Sequence, residues 1–359
     1  MADDFNNKIR GLKLENFTCF AKAEMDFSSG INVFIGENGT GKTHVLKVLY
    51  ALLYKNNTYK LLSEDKDFFN KARTFNIQDN LISFFKNELP KLSKNTSSYF
   101  EIKAFFDTDM YAGFKMENIG SSSTSIGAIF NTDFKFQENL LFIPSMEMLS
   151  IYKGFISSYE KRENSFDGTF YNLSKALNAL PLKKQDNNNW LKPLEDSFNG
   201  KVIRKDEEFY IKFDKSNKEI PANLIASGVN KLAQMAYLII NGSLNKDSVL
   251  LWDEPETNLN PKYIKIVAKF LQTLAKNGVQ IFVATHDYLL AHLLSLDAEY
   301  SQETAAPPMK FFSFYKGEDG TEIEAADTIA GLQHNALLDE YAAYYDLEQA
   351  LFRKSMQNV

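Results

Sequence analysis

One cysteine, Cys19, is the whole thiol content of 359 residues. An internal disulfide and a thiolate-rich zinc site are therefore excluded, and a reducing compartment fits. Histidine is scarce too: of the four present, His44, His292 and His334 show no metal-binding spacing with one another or with Cys19. Basic charge is in deficit, 40 Lys and Arg against 46 Asp and Glu, for a formal net charge of -6. That balance argues against a uniformly basic nucleic-acid binder and leaves room only for a local basic patch. No apolar run reaches the roughly 18 residues of a membrane span, so no membrane association is expected. The stretch MADDFNNKIRGLKLEN has neither an apolar signal core nor an Arg- and Ser-rich transit character, and the cytoplasm is the expected address. Internal repeats and heptad arrays are also lacking, which excludes a long coiled coil.

What is abundant is core material. Hydrophobic residues make up 44% of the chain and Phe alone contributes 30, so disorder is excluded as the main state. The length allows two or three domains, or one domain with an insertion.

KIRGLKLENF, KAEMDFS and GINVFIG read as three short strands, and KTHVLKVLYALLY carries helical spacing. From about Ser63 to Leu92 apolar residues again recur at helical spacing, which predicts an inserted helical piece. SSYFEIKAFFDTDMYAGFKMEN, SIGAIFNTDFKF and NLLFIP return to short strands. Ser145 to Gly200 is helical with a polar break at KKQDNNNW, the best candidate for a mobile loop. KVIRKDEEFYIKFD predicts a hairpin. A helix from Ser227 to Ile240, the strand SVLLW, a helix from Pro261 to Lys276 and the strand VQIFVATH follow. Such alternation implies a parallel sheet. A hairpin around Gly317 to Gly320 and a helix from about Ala336 to Arg353 complete the reading.

Four segments carry chemistry. FIGENGTGKTHVLK holds Gly36-x-x-x-x-Gly41-Lys42-Thr43, with Asn38, Gly39 and Thr40 between the outer glycines. Glycines at these positions let backbone N–H groups turn inward around a polyphosphate and aim the next helix N-terminus at it. Lys42 is placed to neutralise β- and γ-phosphate charge and Thr43 to ligate Mg²⁺. SVLLWDEPE is an apolar strand that delivers Asp253 and Glu254 at its C-terminal end, where α/β sheets bind ligands. Asp253 suits Mg²⁺, and Glu254 suits orientation and deprotonation of an attacking water. VQIFVATHD ends another apolar strand at His286, which can hydrogen-bond a transferring phosphoryl oxygen if its strand neighbours the one bearing Glu254. LIASGVNKLAQ sets Ser227 and Gly228 at a helix start, an anion-binding arrangement.

The order of these four elements resembles the ATP-binding-cassette heads of the SMC, RecF and OLD class, including stand-alone prokaryotic ATPases. LENFTCF looks like their opening strand, GENGTGKT like their Walker A, ASGVNKLAQ like their signature segment, LLWDEPETNLNP like their Walker B and D-loop, and ATHD like their switch histidine. The resemblance implies an α/β P-loop NTPase of ABC-ATPase type, with a mixed sheet core, an N-terminal antiparallel β layer and a helical lobe. It also implies a division into 1–144 (the first part of the nucleotide-binding lobe, with the helical insertion at about 63–92), 145–226 (helical lobe and hairpin), 227–333 (the rest of the nucleotide-binding lobe) and a helix over 334–359.

Three segments depart from the pattern. The signature reads Ala226-Ser227-Gly228-Val229-Asn230, keeping the serine and first glycine. The D-loop ends in the amide Asn260. Where such heads carry a Q-loop glutamine, FIPSMEML offers Ser145, Met146 and Glu147, and Glu147 is the candidate metal group. Phe17 or Phe20 is the candidate to stack on the purine.

In such heads the signature serine of one copy completes the ATP site of another. The cofactors implied are ATP and Mg²⁺, and the partner implied is a homodimer or higher homo-oligomer closed by an ATP sandwich. Three roles stay open: an ATPase whose assembly gates a separate effector protein, as in bacterial anti-phage defence; a RecF- or SMC-like DNA repair or recombination ATPase; and a slowly hydrolysing, nucleotide-locked scaffold. Asp107 and Asp109 lack the acidic context of a metal nuclease and read as a hairpin turn. The basic clusters at Lys8, Arg10 and Lys13 and at Lys201, Arg204 and Lys205 read as solvated strand faces.

Overall fold

The computed structural model describes residues 8–55, 66–94, 99–106, 110–117, 125–130, 137–183, 188–216, 218–300 and 306–357. Asp107, Asp109, most of the polar break after Lys183 and the start of the expected insertion at Ser63 lie outside them.

The chain opens with β1 (Gly11–Phe17), β2 (Phe20–Asp26) and β3 (Ile31–Gly36), then α1 (Lys42–Leu53) and α2 (Lys66–Phe85). Next come β4 (Phe100–Phe105), β5 (Tyr111–Glu117), β6 (Ser125–Phe130) and β7 (Leu140–Ile143). The helices α3 (Phe155–Glu160), α4 (Gly168–Leu177) and α5 (Asn188–Phe198) precede β8 (Gly200–Lys205), β9 (Glu208–Phe213) and the short β10 (Glu219–Pro221). The last third runs α6 (Ser227–Ile240), β11 (Val249–Asp253), α7 (Pro261–Lys276), β12 (Gln280–Ala284), α8 (Tyr288–Tyr300), β13 (Met309–Gly317), β14 (Gly320–Ala326) and α9 (Ala336–Gln357).

The six-stranded sheet has the order β14-β13-β3-β12-β11-β7 and is parallel except for β14. Its central strands are apolar on both faces because both are covered. Val33 and Ile35, Leu250 and Trp252, and Ile281 and Val283 join one core with α3 to α8, whereas Phe34, Leu251 and Phe282 join the other. The period of two along each strand divides the side chains between the cores. The second core lies under the antiparallel sheet β2-β1-β4-β5-β6, with α1 between the layers. Much of the Phe content is spent there: Phe27 meets Phe282 edge-on at 4.9 Å and Phe34 meets Phe312 at 5.4 Å. Gln280 ties the layers together, accepting from Ile9 N at 2.8 Å and donating to the Ile9 and Ser28 carbonyls at 2.8 and 2.9 Å. The third sheet, β10-β9-β8, lies beside α5 and α6.

The parallel core, the antiparallel layer and the helical elements match the expected architecture. The hairpin of β8 and β9 gains a third strand, and α8 was not anticipated. The basic clusters are engaged locally: Lys8 donates to Ser29 O at 2.9 Å, Lys13 pairs with Glu24 at 2.7 Å, Arg204 donates to Asn178 O at 2.7 Å, and Lys205 pairs with Glu219.

Candidate functional site

β3, β11 and β12 are adjacent and parallel, so their C-terminal ends open on one edge of the sheet. The loop after β3 is the first component. Glu37, Asn38 and Gly39 are exposed at its crest, while Thr40 is buried and donates to Glu37 O at 2.8 Å. Gly41 closes the loop at φ 92°, where a Cβ would lie 2.5 Å from Cys19 Sγ and 2.6 Å from the Phe20 ring. Only glycine combines that backbone with that approach. Lys42 turns back under the loop, its Nζ donating to the carbonyls of Gly36 at 2.8 Å and Glu37 at 2.7 Å. Burial lowers its pKa from the ordinary lysine value, against the opposing pull of Asp253, Glu254, Glu256 and Glu37.

Thr43, in the first turn of α1, has its hydroxyl at 3.0 Å from each carboxylate oxygen of Asp253. Burial pushes the Asp253 carboxyl up to about 6, with the Thr43 hydrogen bond opposing. A hydroxyl beside a carboxylate is a hard oxygen donor set, which fits Mg²⁺ with water completing its shell.

Glu254 leaves β11 at φ 45°, a left-handed conformation that a non-glycine residue holds at a cost. Its N–H donates to Ala284 O at 2.8 Å, which locks the turn to β12. The side chain accepts from Thr257 Oγ1 at 3.1 Å and reaches within 3.5 Å of His286 Nδ1. The structure thus brings together Lys42, Thr43, Asp253, Glu254 and His286 from three adjacent strand ends.

Two further residues there went unnoticed in the sequence. Glu256 is buried, and its Oε1 accepts from Thr285 Oγ1 at 2.7 Å and His286 N at 3.2 Å. Its Oε2 is buried with no hydrogen-bond partner among the described residues, and burial raises its pKa. Glu256 therefore sets the backbone from which the His286 ring projects. Lys231, on α6, is buried and donates to Glu254 O at 3.1 Å and Thr257 O at 2.9 Å. Burial brings it down to about 8, although Glu256, Glu254, Glu147 and Asp253 all favour its charge. No local spacing marks either residue; their roles exist only once α6 and β12 pack beside β11.

Ser227 opens α6 half-buried, and the next residue touches the segment after β11, since a Cβ on Gly228 would lie 2.8 Å from Asn258 O. Asn260 takes a local role: its Oδ1 caps α7, accepting from Lys262 N at 3.0 Å and Tyr263 N at 3.3 Å.

Glu147 takes a local role in the structure, and the expectation for Phe17 and Phe20 needs correction. Glu147 is buried and held by Ser150, whose Oγ and N donate at 2.6 and 3.2 Å, and by Asn230 Nδ2 at 3.4 Å. Its hydrogen bonds join the segment after β7 to α6 and do not reach Thr43 or Asp253. Phe17 and Phe20 offer no face to a purine, because both are fully buried, Phe17 against Phe85 and Phe100, Phe20 against Phe314.

A family model described as "AAA domain, putative AbiEii toxin, Type IV TA system" matches residues 91–291, more than half of the chain. Among curated proteins, the chain is 38% identical over 60 residues to the DNA replication and repair protein RecF of Streptococcus gordonii, covering 17% of this chain and 16% of that one. It is 41% identical over 58 residues to the DNA double-strand break repair Rad50 ATPase of Thermococcus kodakarensis, covering 16% and 7%. These matches span about a sixth or less of the relatives' own length. Among solved structures, an SMC head bound to the C-terminal winged-helix domain of ScpA superposes with a TM-score of 0.51 at 14% identity, over 89% of this chain and 97% of that one. An SMC head with an extended coiled coil, bound to the C-terminal domain of ScpA from Pyrococcus furiosus, gives 0.51 at 13% over 89% and 96%. Both show a shared fold.

Proposed function

The chain belongs to the AAA domain family that this model describes, with the fold of an ABC-type ATPase head of the SMC/RecF class, and from that premise we propose that it binds and hydrolyses MgATP to time an assembly. The observation that carries the reading is the convergence of Lys42, the Thr43–Asp253 contact at 3.0 Å and the Glu254–His286 approach at 3.5 Å on one sheet edge.

Lys42 exchanges its two carbonyl partners for β- and γ-phosphate oxygens, and the loop N–H groups and the α1 N-terminus take the remaining charge. Thr43 and Asp253 hold Mg²⁺, which supplies charge neutralisation on the phosphates. Glu254 orients a water in line with the γ-phosphate and takes its proton. His286, steadied by Glu256, donates to a γ-phosphate oxygen. Residues 1–144 and 227–333 form the nucleotide-binding lobe and 145–226 the helical lobe. Ser227 with the α6 N-terminus completes the site of a second copy, so ATP stabilises the pair by linkage and hydrolysis releases it. The assembly gates a separate effector protein; the family description, which names an AbiEii toxin and a Type IV TA system, supports a partnered role.

Glu254→Gln tests this reading. It retains ATP affinity, loses turnover by about 10² to 10⁴-fold and traps the associated form on gel filtration. A variant that turns over normally, or whose mass does not rise when ATP is added, removes the gating reading.

A second reading is favoured by the relatives named for DNA repair: the paired heads bind duplex DNA. Its mark is an affinity that falls steeply with salt, and absent or salt-insensitive binding removes it.

A further inference from the structure

α9 stands out from the rest of the molecule. Its first turn is anchored, with Asn335 buried and its Oδ1 accepting from Leu338 N at 3.2 Å, and with Tyr341 packed on Tyr288 at 4.8 Å. Beyond that anchor the helix is exposed along nearly its whole length. Most of its large apolar side chains, Leu347 apart, nonetheless gather on one side. At about 100° per residue, Tyr341, Tyr344, Tyr345, Leu351, Phe352 and Met356 fall within an arc of about 140°. Tyr344 is 70% exposed, Phe352 61% and Met356 66%, so apart from the packing of Tyr341 on Tyr288 no described residue covers the stripe. A face of this kind, with three tyrosines and a phenylalanine, marks an interaction site rather than scattered surface residues.

The charges along α9 point to its occupant. Acidic residues fill the first two thirds (Asp339, Glu340, Asp346, Glu348), and Arg353 and Lys354 stand at the far end. Two copies laid parallel oppose acid to acid. Laid antiparallel and centred near Asp346 and Leu347, they set Leu337 opposite Met356, Tyr341 opposite Phe352, and Glu340 beside Lys354 at both ends. The same register sets Glu348, the one charge inside the stripe, opposite the Tyr345 hydroxyl. One register therefore satisfies the apolar and the charged positions together, and its two-fold symmetry closes the pair. At about 100 Å² for each large exposed side chain, six per copy bury on the order of 1,200 Å² in total, the lower bound of a stable interface.

We propose that α9 is a homodimerisation helix, whose partner is α9 of a second copy in antiparallel register, and that this contact needs no nucleotide. It is separate from the ATP-dependent pairing proposed above and does not rest on it.

The test is the mass of the full chain by light scattering and sedimentation, without nucleotide or Mg²⁺, from about 1 to 100 μM. A dimer is expected for the wild type and also for Lys42→Ala, which separates this contact from any ATP-closed one. Phe352→Glu and Tyr345→Glu convert it to monomer, shifting the dimer dissociation constant at least tenfold while the circular dichroism stays unchanged. Glu340→Lys weakens the dimer, and adding Lys354→Glu to the same chain restores it. The proposal is overturned if the nucleotide-free wild type is monomeric throughout, or if Phe352→Glu remains dimeric. A monomeric wild type that sediments with anionic phospholipid vesicles through Phe352 assigns the stripe to a lipid surface and likewise overturns it.

Discussion

The hydroxyl of Thr43 lies 3.0 Å from both carboxylate oxygens of Asp253, a residue 210 positions later in the chain. α1 supplies one group and β11 the other, so helix and sheet must be in register before the pair exists. Asp253→Asn keeps the shape and removes the charge. The expected result is at least a tenfold loss of ATP affinity in Mg²⁺ and little change in EDTA, measured by titration with a fluorescent ATP analogue.

Glu256 bonds Thr285 Oγ1 and His286 N, and its role is to position. Glu256→Gln keeps an acceptor oxygen but adds an amide where Oε2 has no partner among the described residues. kcat is expected to fall about tenfold with KM little changed, and Glu256→Ala to fall further. An unchanged kcat in both variants removes the positioning role, and an unchanged circular dichroism spectrum and urea midpoint separate the loss of kcat from a loss of fold.

Gly228 meets the Asn258 carbonyl so closely that a Cβ would lie 2.8 Å from it. Gly228→Ala improves helix propensity by about 1 kcal/mol, but the clash with backbone costs about 1–3 kcal/mol. A net fall in Tm of a few degrees is expected in calorimetry, and a rise would show that the contact yields freely.

Lys231 is brought down to about 8 by burial, below the ordinary lysine value of 10.5. Between these values the unfolded chain binds more protons than the folded one, so this residue makes stability rise with pH through the window. Lys231→Met removes that slope and leaves the carbonyls of Glu254 and Thr257 without their donor. The variant should be less stable at pH 8 and fall further behind the wild type by pH 10.5, as read by urea midpoints.

The four candidate segments were legible because each is a local pattern with a local cause. Asn260 before Pro261 marks the start of α7, and the run from Ser227 to Ile240 ends where its apolar stripe ends. α8 escaped notice because LLAHLL is a nearly continuous apolar run directly after the His286 turn, without the polar interruptions that reveal a period. β10 has three residues and forms only because β9 offers an edge. Phe17 or Phe20 is the sequence's candidate to stack on a purine, but aromatic side chains between two sheets gain more by complete burial. Glu147 was assigned by its place in the order of motifs, whereas its hydrogen bonds are decided by α6, on which Asn230 waits for it.

The sequence by itself determined the glycine loop, the two apolar strands that end in acids and in histidine, and the helix that begins at Ser227, because spacing within one element needs no partner. Only the tertiary structure decided that Glu256 would steady His286, that Lys231 would lie under the turn after Asp253, and that α9 would keep its aromatic face uncovered. Those are relations between elements, set by which surfaces pack and which are left over, and a linear pattern carries neither.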